Sequence, residues 1–100
     1  MPHTLAEAAA LLEDDVTRTV GVGYRGRVAR AAENLAAYGF GDAEKLVGDV
    51  QQEFHDLYVD TTWPACPRHH RHPLWYHADG WWWCEADGAA LYRLGELPAP

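Results

Sequence analysis

The side chains able to do chemistry crowd into one stretch, Cys66-Pro67-Arg68-His69-His70-Arg71-His72, followed after a gap by Cys84-Glu85-Ala86-Asp87-Gly88. A zinc ion asks for four soft or borderline donors at tetrahedral corners, most often cysteine sulfur and histidine nitrogen, with carboxylate oxygen allowed. Two residues between donors let a tight turn aim both at one ion. Cys66 and His69 have that spacing, and Cys84 and Asp87 repeat it. Cys66, His69, Cys84 and Asp87 are therefore the expected ligands of one structural Zn2+. The fourth place stays open. His72 is the alternative to Asp87, although it would load three donors onto one short loop, and His70 is a third candidate. A histidine left outside the coordination can still orient a ligand from behind.

The same residues have plainer readings. The two cysteines could be ordinary buried thiols beside a polar histidine loop, or could close a disulfide worth roughly 3 kcal/mol. A thiol-redox role is disfavoured, because Cys66 and Cys84 do not form the close Cys-x-x-Cys pair that such chemistry prefers. Metal is preferred on energetic grounds. An aromatic hairpin of about thirty residues buries too little surface to stand alone, and a structural zinc commonly makes up the deficit.

Two turns far apart in sequence must be brought together, and a hairpin does this. Leu74-Trp75-Tyr76-His77 and Trp81-Trp82-Trp83-Cys84 are aromatic runs suited to strands, with Asp79-Gly80 as a two-residue turn signal between them. That turn predicts His77 opposite Trp82, Tyr76 opposite Trp83 and Trp75 opposite Cys84. It puts Trp82, Trp75 and Cys84 on one face, with Trp81 and Trp83 on the other. Asp87-Gly88 leads into a third strand, Ala89 to Leu94.

This arrangement resembles the zinc-ribbon family, in which two metal-holding knuckles of the rubredoxin type are joined by a β-hairpin. The family's knuckles commonly read Cys-Pro-x-Cys and Cys-x-x-Cys-Gly. Cys66-Pro67-Arg68-His69 matches the first with His for the second Cys, and Cys84-Glu85-Ala86-Asp87-Gly88 matches the other with Asp for Cys. The resemblance spans roughly Trp63 to Leu94, and it implies a closed structural zinc site.

Before Thr62 the chain has neither Trp nor Cys and reads as helices. Thr4 with Glu7 has capping-box spacing, and Leu5, Ala8, Leu12, Val16 and Val20 recur as one buried helical face requires. Val16 to Val22 also alternates, so a strand competes there. Gly21, Gly23 and Gly26 mark a loop; their spacing does not suit phosphate. A second helix is expected from Arg27 to Tyr38, burying Val28, Ala31, Leu35 and Tyr38 and ending at Gly39-Phe40-Gly41. Asp42 is a good N-cap for a third, whose stripe is Leu46, Val47, Val50, Phe54 and Leu57 with Tyr58 beside it. His55 reads as a surface histidine. The expected fold is α+β, a single domain over 1–100: two or three helices in 1–62, then a small three-stranded antiparallel zinc-ribbon-like hairpin in 63–97. The ribbon should dock on Phe54, Leu57 and Tyr58.

Composition narrows the function. Fifteen acids against eight bases give a net charge of −7, with the acidic surface assigned to the helical part. A duplex-binding protein needs a basic footprint, so nucleic acid is disfavoured as a partner and a protein is favoured. The chain has no Ser and a single lysine, Lys45, which excludes a serine nucleophile and a phosphate loop with paired Lys and Ser/Thr. No signal peptide and no run long enough to cross a bilayer are read, so a cytoplasmic, membrane-free protein is expected. The preferred function is a non-enzymatic interaction or regulatory module fixed by zinc. The alternative is a metal-dependent hydrolytic enzyme, with Cys66, His69 and Cys84 as ligands, an open position for water, and Asp87 or Glu85 as base.

Overall fold

The computed structural model describes residues 3–39, 41–56 and 62–99. Three helices, α1 (Leu5–Thr19), α2 (Arg25–Ala37) and α3 (Ala43–Asp56), precede three strands, β1 (Trp75–Tyr76), β2 (Trp81–Cys84) and β3 (Ala89–Arg93). The strands form one antiparallel sheet in the order β1-β2-β3. The fold is α+β, as the sequence predicts. Among the described residues no helix is long and apolar enough to cross a membrane.

Local chemistry sets the helix ends. Thr4 Oγ1 accepts from the Glu7 N–H while Glu7 returns a carboxylate to the Thr4 N–H, at 3.1 and 2.8 Å. Each satisfies a donor that the first helical turn leaves orphaned. Asp42 Oδ1 accepts from the backbone of Glu44 at 2.8 Å and of Lys45 at 3.4 Å. The competition over Val16 to Val22 resolves as helix through Thr19, followed by a short 3₁₀ turn over Val22–Tyr24. Tyr38 corrects the second stripe. It lies just past the last turn of α2 and is 78% exposed, because a helical period stops burying side chains where the helix stops.

A single core joins both halves. Ala8, Leu12, Val16, Val28, Leu46, Val47, Val50 and Phe54 pack with Trp63, Leu74, Trp82 and Leu94, each large apolar side chain contributing about 1.5–3 kcal/mol on full burial. Phe54 meets Trp63 edge-on at 4.9 Å, and Trp63 meets Trp82 at 5.7 Å, so α3 reaches the sheet through two successive aromatic contacts. Phe54 is thus part of the dock. Leu57 and Tyr58 lie outside the described residues.

The hairpin register differs from expectation by one residue. Trp75 pairs with Trp83 and Tyr76 with Trp82, and the His77 N–H donates to the Trp81 carbonyl. The loop is therefore Ala78-Asp79-Gly80, three residues long. Asp79 Oδ1 accepts from the Trp81 N–H at 3.0 Å, and both its oxygens take the Trp83 indole N–H. Gly80 supplies the φ of +89° that closes the turn. One residue of slip moves a side chain to the other face. Trp75 consequently shares the outer face with Trp81 and Trp83, while Tyr76 sits beside Trp82 over the core.

The acidic surface also needs correction, because Asp15 is wholly buried. Its carboxylate accepts from the Gly95 N–H (2.8 Å), the Leu97 N–H (2.9 Å) and the Trp82 indole N–H (3.1 Å). Arg18 donates to the Leu97 carbonyl at 2.7 Å beside it. Helix α1 thereby clasps both the sheet and the C-terminal segment. Gly95 is obligatory in that clasp: a Cβ there would lie 2.7 Å from Leu11 Cδ2, and φ is +92°.

Candidate metal centre

The first knuckle is a loop closed on itself. Ala65 and Pro73 form an isolated bridge, and the Leu74 N–H donates to the Pro64 carbonyl at 2.7 Å. Within the loop the Cys66 N–H donates to the His72 carbonyl, and the His72 N–H donates to the His69 carbonyl. The backbone of His72 therefore fixes two of the expected ligands. The second knuckle begins where β2 ends. Cys84 pairs with Ala89 across the turn, the Gly88 N–H reaches the Glu85 carbonyl, and the Asp87 N–H points at the Cys84 sulfur.

These two turns face each other. The His69, Cys84 and Asp87 donor atoms all lie within 4.8 Å of one another. Cys66, the remaining predicted ligand, is buried but does not join this group of three, and neither cysteine is in a disulfide. His69 Nε2 stands 3.2 Å from Asp87 Oδ1. Around bonds of about 2.0 Å to nitrogen and oxygen, a tetrahedral edge is about 3.3 Å, so this pair already has the spacing that a shared zinc would require. The sulfur, imidazole and carboxylate of this group are chemically suitable donors, and Cys66 would have to supply the fourth. His72 is exposed, with its ring 6.1 Å from that of His69, and His70 is exposed as well; neither joins the group.

The electrostatics are uneven across the site. Both cysteines are buried, whereas the side chains of His69 and Asp87 are about one-third exposed. Burial pushes the Cys84 thiol above its ordinary pKa, and the nearby Cys66 and Asp87 push the same way against the pull of the Asp87 N–H. Asp87 moves in the opposite direction: Arg68, donating at 3.1 Å, and His69 hold its carboxyl below the usual carboxylate range. Arg68 thus sets the orientation of Asp87 by a charge-assisted bond. Glu85, the other acid considered as a base, is engaged with His77, whose ring stacks on Trp83 at 4.7 Å.

Sequence reasoning missed several residues that position this centre. Gln51 is buried in α3 and donates from its amide to the Trp63 and Leu74 carbonyls at 3.2 and 2.7 Å, holding both ends of the first knuckle. His55, read as a surface residue, is half-buried, and its Nε2 donates to the same Trp63 carbonyl at 2.8 Å. Gln51 falls one residue after Val50 on the stripe, a positional signal that its polarity concealed. Comparison with protein-family models, with curated proteins and with solved structures finds no match to the chain.

Proposed function

We propose that Cys66, His69, Cys84 and Asp87 bind one structural Zn2+, and that the metal fixes an aromatic ribbon used as a protein-interaction or regulatory module. The reading is supported above all by one observation: His69 from one turn and Cys84 and Asp87 from the other bring their donor atoms within 4.8 Å of one another. Free buried thiols fit a reducing compartment such as the cytoplasm. The outer face of the ribbon offers its surface through Trp75, 42% exposed, with Trp81 and Trp83 beside it. Tryptophan at such a position suits a protein contact.

The hydrolytic alternative draws on the partial exposure of His69 and Asp87, which leaves solvent access on that side. Cobalt substitution separates the two. A closed structural site gives tetrahedral d–d absorption with sulfur charge-transfer bands and no exchangeable water, and the purified chain carries close to one equivalent of zinc. Less than a tenth of an equivalent after purification without added metal would refute the metal reading. A metal-bound exchangeable water would replace the structural role with the hydrolytic one.

A further inference from the structure

The two oxygens of the Asp87 carboxylate are not equivalent. Oδ1 faces His69 Nε2 at 3.2 Å, whereas Oδ2 accepts from Arg68 Nη1 at 3.1 Å. Arg68 and His69 are neighbours on the first knuckle, so one turn engages both oxygens of an acid carried by the other. The Arg68 side chain is 54% exposed and that of Asp87 35%, so as an ion pair the contact adds little to the stability of the fold. Its effect lies in direction. A carboxylate binds a metal through one oxygen or through two, and turning both towards an ion takes Oδ2 away from the guanidinium. With Oδ2 withheld, His69, Cys84 and Asp87 offer three donor atoms, and a tetrahedral ion needs one more.

We infer that Arg68 is a positioning residue that keeps Asp87 a one-oxygen ligand, and so holds the centre to four-coordinate zinc against larger divalent ions; this rests on the zinc reading above. A small ion with four donors at tetrahedral corners takes one carboxylate oxygen and leaves Arg68 its partner. A larger ion such as Cd2+ gains from five or six donors, and Oδ2 of Asp87 is the nearest additional one. Using it breaks the Arg68 hydrogen bond, a charge-assisted contact of the stronger kind. That cost falls on the larger ion alone. Zinc has the opposite interest, because a carboxylate already anchored by Arg68 need not be ordered by the metal itself. Partners that orient a ligand from behind commonly change metal affinity by roughly 10- to 100-fold when removed.

The test compares the full-length chain with Arg68→Met and Arg68→Lys, each loaded in turn with Zn2+, Cd2+ and Co2+. Competition with a chromogenic chelator reads affinity, and the d–d bands of the cobalt form read coordination number. In Arg68→Met the affinity for zinc should fall about tenfold while that for cadmium holds. The cobalt bands of the same variant should weaken and shift towards those of a five-coordinate ion. Arg68→Lys keeps a cation able to make the single bond to Oδ2, so it should restore both the zinc affinity and the cobalt spectrum. The side chain is exposed, so the variants should fold as the unaltered chain does, which far-UV dichroism of the metal-free proteins checks. Equal losses for zinc and cadmium in Arg68→Met, or an unchanged cobalt spectrum, would overturn the inference and leave the metal reading standing. An unaltered chain that takes up none of the three ions would overturn the metal reading, and this inference with it.

Discussion

Between α1, α2 and α3 the buried contacts are mainly aliphatic, with Leu12, Val16, Val28, Leu46, Val47 and Val50 fully buried, and the ion pairs Arg25–Glu13 and Arg27–Glu53 lie at the surface. The ribbon is attached differently. It shares the apolar core through Trp63, Leu74, Trp82 and Leu94, and in addition polar groups reach across to it from the helices, with Asp15 on the Trp82 indole and Gln51 on the Trp63 and Leu74 carbonyls. Its far end holds a thiol, an imidazole and a carboxylate where a larger domain would hold more hydrocarbon. Apolar packing tolerates small shifts in shape, whereas a polar clasp fails once a single partner is removed. The helical part should therefore be forgiving and the ribbon brittle.

Metal removal is the sharpest way to break this contrast. On the zinc proposal, stripping the metal with a chelator, or replacing Cys66→Ala, should abolish the near-UV dichroism of the tryptophans, because the ion would tie the two turns together. An unchanged near-UV spectrum and melting temperature would show the ribbon to be self-sufficient. Asp15→Ala comes next. It strands buried donors on Gly95, Leu97 and Trp82 and should cost about 3–5 kcal/mol, measured by urea unfolding. Gln51→Leu leaves two carbonyls without their donor and should cost about 2 kcal/mol. Thr4→Ala, on the helical side, removes half of a capping box and should cost only about 1 kcal/mol. If Thr4→Ala cost more than Asp15→Ala, the assignment of brittle and forgiving halves would be reversed.

Titration offers a finer comparison. Burial raises the Asp15 carboxyl above its ordinary value, partly offset by the Gly95 and Leu97 N–H groups, the Trp82 indole and Arg18. A raised folded-state pKa means that this group's contribution is complete below the unfolded value near 3.8 and is lost as pH rises through the folded value. Asp15→Asn should remove that downward slope of stability with pH. An identical slope in the variant would assign it to other groups.

How much of this was legible in the sequence depended on how local the cause was. Capping at Thr4 and Asp42 and the stripes of α1 and α3 follow from neighbours within one helical turn, and over the described residues the structure has them as read, with Leu57 and Tyr58 lying outside those residues. The spacing of the four candidate ligands was likewise visible in two short segments. The register was not, because Asp79 accepts from Trp81 and Trp83 and lengthens the loop by one residue, a choice that the Asp-Gly pair alone does not specify. Asp15 was hidden by its company. It follows Glu13 and Asp14 in an acidic run, and its partners lie about eighty residues downstream.

That last separation governs how the protein is born. A ribosome releases α1 early, with the Asp15 carboxylate in place but its partners unmade. Gly95 and Leu97 follow it by 80 and 82 residues of synthesis. The nascent helices must wait with an unsatisfied acid at their centre, and the clasp closes only once Gly95 and Leu97 have been made.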